Sequence, residues 1–398
     1  MKNLTIELNE YKIRVDKLIE FMNEKKLELI ILTQNTDIFY YSGSIQPSYV
    51  FISVNGEKSA LARKSIERSK EEICNMPVDS FKNTDDLMAI LKNRNFLSSK
   101  KIGFTMDVTA YSTIIRLIKL FDAAEPVDIS MDIRLIRMAK SESEIEKLKH
   151  SAELLTAIPD IAAKNYREGM TELEMNAIIE NYCRLNQHSG LIRFRKEGVE
   201  VNGSGVCSSG KNSLASGKFE GICIGRGISP AVPYGAANTV IEKNSLIILD
   251  YAYVFEGYHT DMTRILYTGN PPQEVIDAYN VMRNIEKEVV EILKCGVVCE
   301  DVYAVAAELA KKSGFEKNFM GTGLEKVYFV GHGVGLELNE PPYFAPKMKY
   351  TLPENTVVAI EPKIAHQVYG VIGIENTYLI EKDRATLLTT CNDEIFIC

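Results

Sequence analysis

The chain contains no tryptophan and only five histidines among 398 residues. Its eight cysteines include no Cys-x-x-Cys pair, the spacing on which thiolate zinc sites are usually built. Cys295 and Cys299 lie one helical turn apart but have no partner cysteine or histidine pair nearby. The sequence therefore disfavours a thiolate metal site.

Long apolar runs are also missing. No stretch approaches the roughly 18 uncharged apolar residues that a membrane helix requires. The first residues, MKNLTIELNEYKIRVDKL, lack the apolar core of a secretory signal. A large chain with scattered cysteines and no export signal is expected to keep its thiols reduced in the cytoplasm. We predict a cytoplasmic protein with no membrane partner.

Charge of one sign is not concentrated anywhere. The sequence has 54 acidic and 46 basic residues and a net charge of −8, and its lysines and arginines form no stripe. Nucleic-acid binding is disfavoured, because neutralising phosphates requires clustered basic side chains.

The chain does have apolar residues for a large core, with 45% hydrophobic content. Residues 1–138 alternate short strands and helices, with a hairpin around Asn55–Gly56, and predict a small α/β domain. Residues 139–398 open with helices that have N-cap signals at Ser141 and Thr171, and then turn to strands. This segregation of helices and strands predicts an α+β domain.

Two aspartates stand in an apolar hairpin of the second domain. LIILD ends at Asp250, and the chain returns through HTDMTR after a turn near Glu256–Gly257. With a two-residue turn, Asp250 and Asp261 lie on one face within diagonal reach. Burying two like charges is costly without a cation or a proton. The alternative is that each aspartate ends a strand and accepts hydrogen bonds from turn amides.

Two glutamates occur in similar apolar settings. Glu361 follows VVAI, and Glu375 is embedded in IGIENTYLI. In a hairpin through Gly370, a two-residue turn would place them on opposite faces. Their convergence therefore requires an odd loop or a bulge. The alternative is a pair of edge-strand glutamates that face solvent.

His332 stands between glycines in GHGVGLELNEPPYF. Alone, it fits an ordinary core or surface histidine. Together with four embedded carboxylates, it suggests a ligand set suited to Mn²⁺, Fe²⁺, Co²⁺ or Zn²⁺. Four carboxylates are enough to bridge two divalent ions about 3.5–4 Å apart that share a water.

The segments LDYAYVFEGYHTDMTR, GHGVGL, IEP and IEN, in this order, resemble the pita-bread metallopeptidases. These include methionine aminopeptidase, Xaa-Pro aminopeptidase and prolidase, with creatinase as a relative without metal. The resemblance implies a C-terminal pita-bread domain, residues 139–398, after a smaller N-terminal creatinase-like α/β domain, residues 1–138. It also implies a homodimer.

The resemblance further implies a site for two divalent ions. The implied metal ligands are Asp250, Asp261, His332, Glu361 and Glu375. Asp261 and Glu375 would bridge the ions, and Glu361 would also be the catalytic proton shuttle.

The sequence departs from the resemblance around this site. Tyr234 and Asn339 stand where Xaa-Pro peptidases usually have histidines, and both would be catalytic and substrate-binding residues through hydrogen bonds. Gly373 replaces an arginine, and Lys363 replaces the glycine after Glu-Pro. Lys363 and the nearby His366 would bind a substrate carboxylate, or else both are solvated strand-end residues.

Three functions are compatible with these features. The first is a dinuclear hydrolase related to Xaa-Pro aminopeptidase or dipeptidase, acting on a small peptide. The second is a pita-bread enzyme that acts on a small non-peptide metabolite, as an amide or amidine hydrolase or a C–S lyase. The third is a non-catalytic binding module.

Overall fold

The computed structural model describes residues 4–196, 201, 203–218 and 221–398. The chain forms two compact units, Met1–Arg137 and Met138–Cys398. In the described part of the chain, no helix combines the length and the apolar character needed to cross a bilayer.

The first unit is built on a six-stranded mixed sheet. Its strands are β1 Leu29–Leu32, β2 Tyr49–Ser53, β3 Lys58–Ala62, β4 Val78–Ser80, β5 Lys101–Phe104 and β6 Glu125–Asp128. Their order in the sheet is β4-β3-β2-β1-β5-β6. The predicted hairpin around Asn55–Gly56 is confirmed, because β2 and β3 pair antiparallel with Ile52 opposite Lys58. Buried side chains such as Phe51, Phe96 and Phe104 form the core of the unit. Its helices are α1 Leu4–Lys25, α2 Asn35–Ser42, α3 Ile66–Glu72, α4 Thr84–Asn93, α5 Tyr111–Ile118 and α6 Ser130–Ile136.

Two helices of the second unit begin at the predicted caps. Ser141 and Thr171 each accept a hydrogen bond from the backbone of the glutamate three residues later, and that glutamate bonds back to the cap amide. This reciprocal pair satisfies amides that the first helical turn leaves without partners. The helices are α7 Glu142–Leu155, α8 Ile158–Asn165, α9 Glu172–Leu185, α10 Gln273–Ile292 and α11 Cys299–Lys312.

The strands of the second unit form three sheets in the described residues. The strands are β7 Gly205–Ser209, β8 Leu246–Phe255, β9 Tyr258–Tyr267, β10 Gly331–Gly333, β11 Glu340–Tyr343, β12 Val357–Ile360, β13 Lys363–His366, β14 Gly370–Gly373, β15 Asn376–Ile380, β16 Ala385–Leu387 and β17 Phe396–Ile397. A four-stranded sheet has the order β17-β9-β8-β7, a five-stranded sheet has the order β11-β10-β12-β15-β16, and β13 pairs with β14. Helices and strands are segregated along this unit, so the predicted α+β class is confirmed.

The two faces of the long β8–β9 hairpin pack against different helices. Leu249, Tyr251 and Met262 join a cluster with residues of α8 and α9. On the other face, Ile248 and Ile265 join the largest cluster, which includes residues of α10, α11, β12 and β14. Because side chains alternate along a strand, the residues after Ile248 on that second face are Asp250 and Ala252. The apolar inner face of the hairpin therefore leads directly to a carboxylate.

Glu286 is a buried acid on α10. It accepts hydrogen bonds from Asn376 Nδ2 at 2.8 Å and from the Tyr378 hydroxyl at 3.1 Å. Burial nevertheless raises the pKa of Glu286 from 4.5 to about 7. The folded protein therefore binds a proton on Glu286 that the unfolded chain releases above pH 4.5.

We predict that Glu286 contributes to the free energy of unfolding fully below pH 4.5 and that this contribution is lost as the pH rises through about 7. The change should be about 3 kcal/mol, from 1.36 kcal/mol per pKa unit. Urea denaturation from pH 5 to 8 should show a shallower pH dependence in Glu286→Gln than in the wild type. Glu288→Gln, exposed on the same helix, is the control. Parallel pH profiles for Glu286→Gln and the wild type would contradict the prediction.

Candidate metal centre

Asp250 and Asp261 lie on one face of the β8–β9 hairpin. Phe255 pairs with Tyr258, so the turn consists of two residues, and Ala252 lies opposite Asp261. Gly257 takes a φ of 89° in this turn, a left-handed conformation that glycine adopts without strain. This register is the one expected for a two-residue turn, and it places Asp250 and Asp261 diagonally across the hairpin.

Glu361 and Glu375 face each other in a second pair of strands. Ile360 pairs with Asn376, and Lys363 pairs with Gly373, so the same register sets Glu361 opposite Glu375. His366 pairs with Gly370, which leaves a three-residue loop. This three-residue loop is the odd loop that the convergence of the two glutamates required.

His332 lies on β10, the second strand of its sheet, between the edge strand β11 and β12. It pairs with Ala359, two residues before Glu361, so its ring shares a face with that glutamate, and Nε2 lies 3.7 Å from Glu361 Oε1. A side chain at Gly331 would collide with the Ala359 carbonyl, so glycine is required for the strands to approach. The Nδ1 atom lies 3.2 Å from Gly333 O. A proton on Nδ1 leaves the Nε2 lone pair directed at the carboxylates.

The two carboxylate pairs meet where β9 runs beside β15. Thr263 and Glu375 exchange backbone hydrogen bonds of 3.3 and 3.2 Å. Thr377 Oγ1 accepts a hydrogen bond from the Asp261 amide and donates one to the Asp261 carbonyl. Asp261, His332 and Glu375 each offer a ligand atom within 4.8 Å of the others. Three of the candidate ligands thus converge on one buried point.

Lys363 places a cation among the acids. Its side chain is 1% exposed. The ammonium group contacts three of the four carboxylates, at 3.0 Å from Asp250 Oδ2, 2.8 Å from Glu361 Oε2 and 2.8 Å from Glu375 Oε2. An ammonium group has three donors, so these contacts use all of them.

The pKa values of the cluster follow from burial and charge. Burial raises the pKa of Asp250 and Glu361, and the Lys363 ammonium opposes this rise. Burial, together with Glu375 and Asp250, raises the pKa of Asp261 well above its usual value. Burial alone would lower the pKa of Lys363, but the three carboxylates raise it well above its usual value. The Lys363 charge also opposes the rise in the pKa of Asp261, but among the described contacts the ammonium makes no hydrogen bond to that carboxylate.

Two supporting residues were missed by the sequence reasoning. The Thr263 hydroxyl donates to Glu375 Oε2 at 2.8 Å. Buried Arg264 donates to the carbonyls of Thr263 and Glu375 and to the Asn376 side chain. The position of Thr263, two residues after Asp261 on the same strand face, is a sequence signal that could have identified it. Arg264 carries no such signal, because its partners come from distant strands.

The acids and His332 form one wall of a cavity that Tyr234 and Asn339 also line. The remaining described lining is mostly apolar and includes Ile192, Phe194, Ile222, Ile224, Phe329 and Leu338. The structure thus brings together all but one of the candidate site residues. His366 is the exception, because it lies at the loop end of β13, where its Nε2 is 3.1 Å from Glu274 Oε1. Lys363 lines the cavity, but its ammonium group is bound to carboxylates of the protein.

The donor set fits a divalent ion at one position. Asp261, His332 and Glu375 supply two carboxylates and one imidazole, which suits Mn²⁺, Fe²⁺, Co²⁺ or Zn²⁺. The incompletely compensated charge of Asp261 also favours a cation there. Between Asp250, Glu361 and Glu375, the Lys363 ammonium already supplies positive charge.

Comparisons with known proteins agree with this geometry. Residues 146–382 match metallopeptidase family M24. The chain belongs to this family. Residues 14–139 of the M24 protein match the creatinase/prolidase N-terminal domain. Family membership implies divalent metal ions, and dinuclear metal use is typical of the family.

The similarity to the relatives below covers nearly the whole chain. An Xaa-Pro dipeptidase of Pyrococcus furiosus is 27% identical over 387 residues, 96% of this chain and 99% of the relative. The prolidase of Pyrococcus horikoshii OT3 has a TM-score of 0.78 at 26% identity, covering 96% of this chain and 99% of the other. An Xaa-Pro dipeptidase from Bacillus anthracis has the same fold, with a TM-score of 0.82 at 21% identity over 98% and 100% of the chains.

These findings confirm the pita-bread fold and the metallohydrolase class. The M24 protein is a metal-dependent hydrolase of the Xaa-Pro peptidase type. The hydrolase prediction is therefore favoured over the binding-module alternative.

The buried ammonium leads to a stability prediction for the M24 protein. Lys363→Met should leave Asp250, Glu361 and Glu375 without their cation and lower the free energy of unfolding by about 3–5 kcal/mol, as expected when one partner of a buried ion pair is removed. Chemical denaturation in the presence of a chelator measures this change. Lys382→Met, at an exposed position of the same unit, is the control. Equal small losses in both variants would contradict the prediction.

Proposed function

We propose that the chain hydrolyses short peptides at an Xaa-Pro bond. The observation that carries the proposal is the convergence of Asp261, His332 and Glu375 on one wall of a largely apolar cavity. The relatives named above are Xaa-Pro dipeptidases and a prolidase. The apolar lining suits a proline ring, which has no polar group to pair once it is buried.

A divalent ion held by the described ligands would lower the pKa of a water molecule and polarise the scissile carbonyl group. Glu361 would accept the proton from the attacking water and pass it to the leaving nitrogen. Its Oε1 lies beside His332 Nε2, and burial raises its pKa toward the range useful for proton transfer. Asp250 would position Lys363, which in turn orients Glu361.

Tyr234 and Asn339 would act on the substrate carbonyl. The Tyr234 hydroxyl and the Asn339 amide are neutral donors on the cavity lining. Donors aimed at the oxygen that gains charge in the transition state stabilise that state more than the bound substrate. Lys363 would affect substrate binding only through its charge, because its three donors are used by Asp250, Glu361 and Glu375.

Turnover of dipeptides tests the proposal. Xaa-Pro dipeptides should be cleaved after chelator-stripped protein is reloaded separately with Mn²⁺, Co²⁺, Zn²⁺ or Fe²⁺, and matched Xaa-Ala dipeptides should be poor substrates. Xaa-Pro-Yaa tripeptides distinguish an aminopeptidase from a dipeptidase. No hydrolysis of any Xaa-Pro peptide with any of the four ions would refute the proposal.

His332→Ala should lower kcat/KM for the best dipeptide by at least about 100-fold. This is the upper end of the loss seen when a group that only orients a metal ligand is removed. His150→Ala, at a partly exposed histidine of α7, is the control and should retain wild-type turnover. Activity of His332→Ala within a few-fold of the control would show that His332 is not a ligand.

Tyr234→Phe and Asn339→Ala should each lower kcat by about 10²–10³-fold with little change in KM, because each removes a donor used in the transition state. Steady-state kinetics on the same dipeptide measures both constants. Tyr303→Phe, in the packing around α11, is the control. A rise in KM at constant kcat would instead indicate binding without transition-state stabilisation.

A small non-peptide amide or amidine is a second candidate substrate. Neutral Tyr234 and Asn339 line the cavity where the sequence resemblance has histidines, and this difference favours a changed substrate. Hydrolysis of such a compound with kcat/KM above that of every Xaa-Pro peptide would identify it as the better assignment.

We expect Mn²⁺, Co²⁺, Zn²⁺ or Fe²⁺ at the metal site, because carboxylate and imidazole ligands suit all four ions. A homodimer and a cytoplasmic location stay predictions from the sequence.

A further inference from the structure

The position of the Lys363 ammonium suggests how many ions the site binds. It hydrogen-bonds to Asp250, Glu361 and Glu375 at 2.8–3.0 Å. These are three of the five metal ligands that the family resemblance implies. The other two, Asp261 and His332, make no hydrogen bond to Lys363 among the described contacts, and together with Glu375 they form the compact three-ligand group.

The side chain of Lys363 is held in this position by its surroundings. Lys363 pairs directly with Gly373 across the β13–β14 hairpin. A Cβ atom at position 373 would lie 2.5 Å from Lys363 Cγ and 2.7 Å from Lys363 Cα, so any larger residue would collide with the lysine stem. The Lys363 carbonyl also accepts a hydrogen bond from the Met320 amide. Gly373 thus provides the space through which the stem reaches the acids.

We propose that the Lys363 ammonium permanently replaces one metal ion, so that the protein binds a single divalent ion through Asp261, His332 and Glu375. This inference deepens the proposed function and rests on the metal-dependent hydrolysis described there. It assigns to Lys363 the role of a built-in cation.

Distance and charge both support a single ion. A second ion bound to Asp250, Glu361 and Glu375 would require metal–oxygen distances of about 2.0–2.2 Å, which would bring it into contact with the ammonium on the same oxygens. The four carboxylates carry four negative charges. One divalent ion and one ammonium offset three of them, whereas two divalent ions together with the ammonium would exceed them by one.

The count of bound ions tests this inference without substrate. Chelator-stripped full-length protein is reloaded with excess Mn²⁺ or Zn²⁺, desalted and examined by native mass spectrometry and elemental analysis. The wild type should retain one ion per chain. Lys363→Gly should retain two, because it removes the ammonium and opens its position. Lys363→Ala serves the same purpose if glycine loosens the hairpin, and Lys382→Met is the matched lysine control.

Electron paramagnetic resonance of the Mn²⁺-loaded proteins gives an independent readout. The wild type should show the six-line spectrum of an isolated Mn²⁺ ion, and Lys363→Gly should show an exchange-coupled pair. Circular dichroism and thermal melting confirm that each variant is folded. His332→Ala should lose the single ion of the wild type.

Two ions per chain in the wild type, or none, would overturn the inference, and so would an unchanged count of one in both folded Lys363 variants. The proposed function fails separately, through absence of Xaa-Pro hydrolysis, whatever the number of ions. A single-ion protein that hydrolyses no Xaa-Pro peptide would therefore support this inference and refute the substrate assignment.

Discussion

The need to compensate four buried carboxylates organises the catalytic unit. Asp250, Asp261, Glu361 and Glu375 stand within or next to strands whose residues are almost all buried. Ionised acids in such surroundings lose hydration that only cations, protons or strong donors can replace. The structure supplies an ammonium group and the hydroxyl of Thr263. In our proposal a metal ion compensates Asp261.

Strand register delivers the acids to one place. One hairpin brings Asp250 and Asp261 to the same face, and a second pair of strands sets Glu361 opposite Glu375. The two sets meet because β9 and β15 run side by side at Thr263 and Glu375. A slip of one residue in either pairing would turn a carboxylate to the opposite face. Bonds from Arg264 and Thr377 between β9 and β15 maintain this alignment.

Lys363 and Gly373 act as a complementary pair across the β13–β14 hairpin. The lysine brings a fixed charge into the cluster, and the glycine leaves room for its stem. A positive charge that is covalently part of the chain does not depend on metal supply. This charge explains how the folded protein tolerates Asp250, Glu361 and Glu375 close together, because each of them accepts a hydrogen bond from the Lys363 ammonium. The same charge makes the cluster differ from a site that relies on ions alone.

The sequence by itself determined the α+β class, the helix caps at Ser141 and Thr171, and the face shared by Asp250 and Asp261. Each of these depends on contacts within a few residues or on a two-residue turn, where spacing dictates geometry. The convergence of Glu361 and Glu375 depended on the length of the loop between their strands. The sequence did not determine that length, so the convergence could be predicted only for an odd loop or a bulge. His366 stood close to Glu361 in sequence, yet the strand direction carried it to Glu274. Only the tertiary structure decided that Lys363 turns toward three acids, since those acids come from separate strands and their combined charge is set by how the strands meet.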